Sequence, residues 1–219
     1  MSDELDVFHL PPGDRSMAGR TDLSGRDFMG ARLAGVDFSS SVLYWALFNF
    51  ALLEGAILKG CDLRGAVFNE ANLRGADLSG ADLGLDALGG YTSFHDASLA
   101  GTDLRRARIS GAQFLRADLS GADLRDVRGA LEMPGRPTQF DGANLTEARL
   151  GGANLKGATY NAETRFPKSF DPERNGLERS NNGHKRRRNR CDGCWSKSHG
   201  PIEDTVRTKI RNLINAGWT

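Results

Sequence analysis

The sequence is poor in the residues that staple or span. Three cysteines among 219 residues, one of them inside a repeated region, do not make a disulfide framework. No apolar run approaches the ~18 residues needed to cross a bilayer. Met1 to Arg20 is acidic and then proline-rich, without the apolar core of a secretory leader. The expectation is a chain of a reducing cytoplasm, not a membrane protein. Catalytic patterns are missing too: there is no GxSxG, HExxH or P-loop run. The four histidines, His9, His95, His184 and His199, are scattered, with none beside a plausible nucleophile. These absences point away from an enzyme.

A formal net charge of +1 hides an asymmetry. Residues 1–167 hold 17 Lys and Arg against 22 Asp and Glu, while residues 168–219 hold 12 against 6. The chain therefore has a mildly acidic body and a basic tail.

What is abundant is repetition, with 27 glycines as part of it. Read from Thr21 in fives, the sequence runs TDLSG, RDFMG, ARLAG and onward to ADLGL. It resumes at ASLAG and again at ANLTE. Large apolar residues fill the middle position 25 times between Leu23 and Tyr160: sixteen Leu, seven Phe, Ile109 and Tyr160. Two places earlier the residue is Ala in 17 of these units, and the fifth place is often Gly. A period of five is foreign to an α-helix, where successive apolar residues would wind around every face. It is equally foreign to an uninterrupted strand. Within one unit, however, the Ala and the large residue lie two apart, as on a short extended segment. The next two residues must then turn a corner, for which glycine's tolerance of positive φ is suited.

The units ADLSG at Ala76–Gly80 and Ala117–Gly121 resemble the A(D/N)LxG pattern of the pentapeptide-repeat family, and the resemblance covers about residues 21–162. It implies an all-β solenoid, a right-handed quadrilateral β-helix with four repeats to a coil and about six to seven coils. On this reading residues 1–20 cap the N-terminal end and 21–162 form the solenoid. Residues 163–180 cover the C-terminal end through Phe166 and Phe170, and 181–219 form a basic tail.

The pattern breaks at 84–93 and 127–139. Each break reads either as a protruding loop or as a one-residue bulge in a continuous coil. Loops on a rigid scaffold are common recognition sites. Around residues 41–60 the polarity rule also fails: Tyr44, Trp45, Leu47, Phe50, Leu52 and Ile57 fall on outward or corner positions. An exposed apolar patch of this kind marks a partner or self-association surface, unless the N-terminal segment or a C-terminal helix folds over it.

In the tail, His184, Cys191, Cys194 and His199 have the spacing H-x6-C-x2-C-x4-H, a set that would suit zinc. The competing reading is two free cysteines in a polar loop. No other cofactor is expected. The basic run Lys185, Arg186, Arg187, Arg188 and Arg190 is either solvated or a nucleic-acid contact. From Pro201 onward, Ile202, Val206, Ile210, Leu213 and Ile214 make one apolar stripe, predicting an amphipathic α-helix at the end of the tail. That stripe would be buried on the solenoid, on a partner or in a homodimer.

The family resemblance implies a non-catalytic protein–protein interaction scaffold, its partner not written in the sequence. Two alternatives stand beside it. One is a DNA mimic acting on a type II topoisomerase such as gyrase. Outward arginines at 64, 74, 105, 106, 108, 116 and 125 weigh against this, because a mimic needs a strongly negative face. The other is a solenoid carrying a nucleic-acid-binding, zinc-holding tail.

Overall fold

The computed structural model describes residues 16–180. The basic run, the Cys/His set and the C-terminal helix lie outside the described residues, as does most of the expected N-terminal cap.

Each repeat contributes a short extended side and a corner. The two-apart spacing puts the Ala and the large residue inside and leaves the intervening residue outside. That outer residue pairs in parallel with its counterpart one coil away, as in Asp27 with Leu47, Leu47 with Val67, and Asn72 with Ser98. Sides this short give isolated pairings instead of long strands. The exception is at the C-terminal end, where β1 (Thr159–Tyr160) pairs in parallel with β2 (Glu178–Arg179). Most pairings are offset by 20 residues, four sides of five, so one turn of chain traces a quadrilateral. Backbone bonds run both ways between coils: Phe48 N–H donates to Val67 O at 2.7 Å, and Val67 N–H donates to Ala46 O at 3.0 Å.

Each corner is closed by a bond of the type Ala46 N–H to Leu43 O, 3.0 Å. The Asp or Asn at the outer position serves that corner. Asp37 and Asp77 each accept from the N–H two residues on, at 2.8 Å, an arrangement native to short polar side chains.

The interior is a set of apolar columns, one per side. On the first side Phe28, Phe48, Phe68, Phe94, Phe114 and Phe140 stack, with ring centroids 4.7–5.3 Å apart and ring planes within 11°. Tyr160 occupies the next position in register. The ring spacing follows the distance between hydrogen-bonded strands, so one residue type repeated every coil fills its column without gaps. Alanines line most of the inner corners, with Val36, Thr92, Thr102, Val127 and Thr138 buried at equivalent places. Cys61 stands in one such place, its thiol donating to Phe38 O at 2.9 Å, and burial pushes that thiol up to about 11.

Ser16 pairs with Asp37 and Met17 is buried, so residues 16–20, assigned to the cap by sequence, already follow the coil path. At the other end Phe166 and Phe170 pack on the core, Phe166 edge-on to Tyr160 at 5.5 Å, and Leu177 is buried beside them.

Candidate interaction edge

The two breaks are protruding loops of six residues. Across each, the pairing offset grows from 20 to 26: Val67 pairs with Ser93, and Gln113 with Gln139. This rules out the one-residue bulge in both places. The chain keeps its register on either side, so the inserted residues are 86–91 and 132–137. Within the second break the side 127–131 is in register, and Gly129 takes the inward position usually held by a Leu. There is no room for more, since a Cβ on Gly129 would lie 2.8 Å from Ile109 and 2.9 Å from Leu155.

Both loops leave the same edge, the corner from the fourth side to the first, two coils or ~10 Å apart. They are tied together. Arg108, on the coil between them, lies over Gly84 and donates to Asp82 at 3.1 Å and to Glu132 at 2.5 Å. Ser110 donates to the same Glu132 at 2.9 Å. The Arg108 guanidinium, with Ser110 adding to it, holds the Glu132 carboxyl below its usual range. The Arg136 guanidinium of the second loop rests over Gly89 of the first.

The first loop folds back onto Tyr44 and Trp45, which occupy the same edge two coils earlier. Asp86 is buried and accepts four bonds. Tyr44 hydroxyl (3.0 Å) and Trp45 Nε1–H (2.9 Å) reach one oxygen; the N–H groups of Leu88 (2.8 Å) and Gly90 (2.6 Å) reach the other. Burial pushes the Tyr44 hydroxyl up. The indole of Trp45 lies between Gly65 and Gly90, each so close that a Cβ would collide with it. Tyr44 and Trp45 are therefore half-buried under the chain's own loop, a cover neither the N-terminal segment nor the tail was needed to provide.

The other four residues of the sequence-derived patch do not share one surface. Leu47 is on the first side, Leu52 on the second and Ile57 on the third, with Phe50 at the corner between the first two. Phe50, Leu52 and Ile57 are exposed and Leu47 is half-buried. With Val42 on the fourth side they form an apolar belt around a single coil. A flat partner meets Leu47, Phe50 and Leu52 across one edge, but not Ile57 with them.

Among the described residues, the remaining large exposed apolar ones are Leu88 (76% exposed), Met133 (44%) and Leu131 (42%), all on or beside the two loops. Sequence reasoning placed the breaks but did not single out these residues. Among the described residues no cluster of His, Cys, Asp and Glu could hold a metal ion, and no helix is long and apolar enough to cross a membrane.

The sides carry little unbalanced acid. Arg20 pairs with Asp22, Arg64 with Asp62, Arg105 with Asp103 and Arg125 with Asp123, at 2.6–2.7 Å, partners two residues apart on one side of the coil. Arg116 adds a pair with Asp96 at 2.5 Å on the neighbouring coil. Bonds from Arg105 and Arg125 hold Asp103 and Asp123 below the usual carboxylate range.

A parallel solenoid of five-residue sides, four to the coil, with Leu and Phe inside and Asp or Asn at the turns, defines a class by its construction. The family model of pentapeptide repeats matches in eight copies, over residues 46–84, 91–126 and 138–159. A pentapeptide-repeat protein of the Arabidopsis thaliana thylakoid lumen is 36% identical, over 47% of this chain and 70% of that one, with a TM-score of 0.37. HetL of Nostoc sp. strain PCC 7120, a pentapeptide-repeat protein involved in heterocyst differentiation regulation, is 29% identical over 69% and 70% of the two chains, with a TM-score of 0.36. QnrB1, a plasmid-mediated fluoroquinolone resistance protein, is 18% identical over 76% and 87%, with a TM-score of 0.37. No curated protein matches. The chain belongs to the pentapeptide-repeat family, whose members are right-handed β-helices.

Proposed function

We propose that the chain is a non-catalytic protein–protein interaction scaffold that receives its partner on the two-loop edge. The observation that carries this reading is the clustering of Leu88, Leu131 and Met133 there, on a rod whose outward residues are otherwise mostly polar. Exposed apolar side chains held on a rigid frame are what a partner can bury without first ordering them.

The test is site-specific photo-crosslinking in cells of the source organism. A benzophenone amino acid at Leu88 or Met133 should capture one protein, identified by mass spectrometry. The same group at Ser79 or Ser120, at plain corners, should not capture it. Equal capture from all four positions would remove the reading.

The gyrase-directed DNA mimic gains no support from these sides, because arginines on the same or the next coil neutralise part of their acid, at Asp62, Asp96, Asp103 and Asp123. A supercoiling assay with and without a quinolone, unchanged by the protein, is the expected result. For the tail, zinc at Cys191 and Cys194 with His184 and His199 is a separate proposal, as is nucleic-acid contact through Lys185 to Arg190. A mobility shift with the full chain and with a tail-truncated chain, each repeated with a chelator, tests both.

A further inference from the structure

We infer that the partner of the two-loop edge presents acidic groups around an apolar anchor, so that the surface it offers is negative where the loops are positive. This rests on the reading of that edge as the partner site and goes on to name the partner's chemistry. Arg128, Arg136 and Lys156 are exposed on or beside the edge, and none makes an ion pair among the described residues. They surround the apolar tips. Arg128 is three residues before Leu131 on the same side, Leu131 N–H donates to Lys156 O at 2.8 Å, and Arg136 shares its loop with Met133. The acids nearby are already occupied: Glu132 and Asp82 by Arg108, and Asp86 by its four donors in the interior of the first loop. Elsewhere on the rod Arg20, Arg64, Arg105 and Arg125 each sit two residues from an aspartate and pair with it. Here the outer positions carry Arg128 and then Asn154, and the local pairing is broken.

Three unpaired cations around three exposed apolar side chains match an acidic protein segment with apolar residues among its carboxylates. Such a fit steers encounter and suppresses basic partners. An anionic bilayer would satisfy the same cations. The geometry favours a protein, because Leu88, Leu131 and Met133 lie along one edge of a rod, a line that fits a groove better than a plane.

The probe is a short fluorescent peptide alternating Leu with Glu, titrated into the full chain, with a Leu/Lys peptide and phosphatidylglycerol vesicles as the other arms. The expected result is binding of the Leu/Glu peptide that weakens with salt. It should fall about tenfold or more in an Arg128→Glu/Arg136→Glu/Lys156→Glu variant and again in Leu131→Ser/Met133→Ser. These positions are exposed, so circular dichroism should show the same coil in both variants. Any of three results would overturn the inference: equal binding of the Leu/Lys peptide, Leu/Glu binding undiminished in the charge-reversed variant, which places it on the basic tail, or binding of vesicles alone through these residues. Position-specific crosslinking at Leu88 and Met133 that survives the charge reversal would leave the partner site standing and remove only its acidic character.

Discussion

The two inserted loops have the same length and leave the same edge, yet they are fastened in opposite ways. The first is pinned from within. Asp86 gathers two side-chain and two backbone donors, and the loop closes over Tyr44 and Trp45. The second has its side-chain hydrogen bonds at its stem, where Arg108 and Ser110 donate to Glu132, and residues 131–136 are all exposed. One insertion thus extends the core outward to cover an aromatic pair. The other offers side chains to solvent. Length and position decide where a loop emerges; what its residues can bond to decides whether it is cover or contact.

Deleting each loop separately, so that a 26-residue coil returns to 20, should show the contrast most strongly. Removing 86–91 takes away Asp86 and uncovers Tyr44 and Trp45, and should cost about 3 kcal/mol or more in denaturant unfolding. Removing 132–137 shortens a solvated loop, and closure entropy changes by well under ~1 kcal/mol for such lengths, so that deletion should be near neutral. Equal losses from both deletions would break the distinction between cover and contact.

How much of this was legible beforehand can be argued from particular residues. The inward column was, because a large apolar residue every fifth place leaves few alternatives. The loops were only half legible, and the missing clue lay in the phenylalanines. Phe28, Phe48, Phe68, Phe94, Phe114 and Phe140 are separated by 20, 20, 26, 20 and 26 residues. Taken as a column in its own right, that series gives the coil length and the six-residue insertions, and it excludes a one-residue bulge. Counting from Leu83 to Phe94 hid this, because one step of five and an insertion of six look like two repeats and a slip. The cover on Trp45 was not legible. It depends on a long-range bond donated by the Trp45 Nε1–H to Asp86, 41 residues away, and on glycines at 65 and 90 that look like any other corner glycine in sequence.

Asp86→Ala should reproduce part of the first deletion. It leaves Tyr44 hydroxyl, Trp45 Nε1–H and two backbone N–H groups without their acceptor, a loss of about 2 kcal/mol after water replaces some of these bonds. In a Trp195→Phe/Trp218→Phe background, Trp45 is the sole indole. Its emission should shift to the red and become more open to acrylamide. Unchanged emission would mean that the loop stays closed without its carboxylate.

The second loop answers to pH instead. Glu132 is held below the usual carboxylate range by Arg108, so its contribution is present above the unfolded value and is lost as pH falls through the lower folded value. Half-exposed as it is, the pair contributes little to global stability, and the effect is local. Amide protection in the stretch 131–136, measured against the intrinsic exchange rate at each pH, should fall on acidification below about pH 4, the ordinary carboxylate range. Glu132→Gln should remove that dependence. Protection absent at every pH would show that the stem is not held by this pair.

The finest comparison is between Trp45 and Phe50, two aromatic corner residues of one coil, each with positive φ, 56° and 59°. Both occupy a backbone conformation that costs a residue with a side chain roughly 1 kcal/mol and that glycine adopts freely. Trp45 recovers that cost beneath the loop, so Trp45→Gly should destabilise by about 3 kcal/mol. Phe50 has no such cover and is 43% exposed. In Phe50→Gly the relief of the corner offsets the lost packing, and the change should lie within about 1 kcal/mol of zero. A small change there would mean that folding does not require the aromatic ring, leaving its presence to be explained by what touches the outside of the rod. A loss as large as that of Trp45→Gly would make Phe50 a packing residue of its own corner and remove the Leu47–Phe50–Leu52 edge from the surfaces a partner could use.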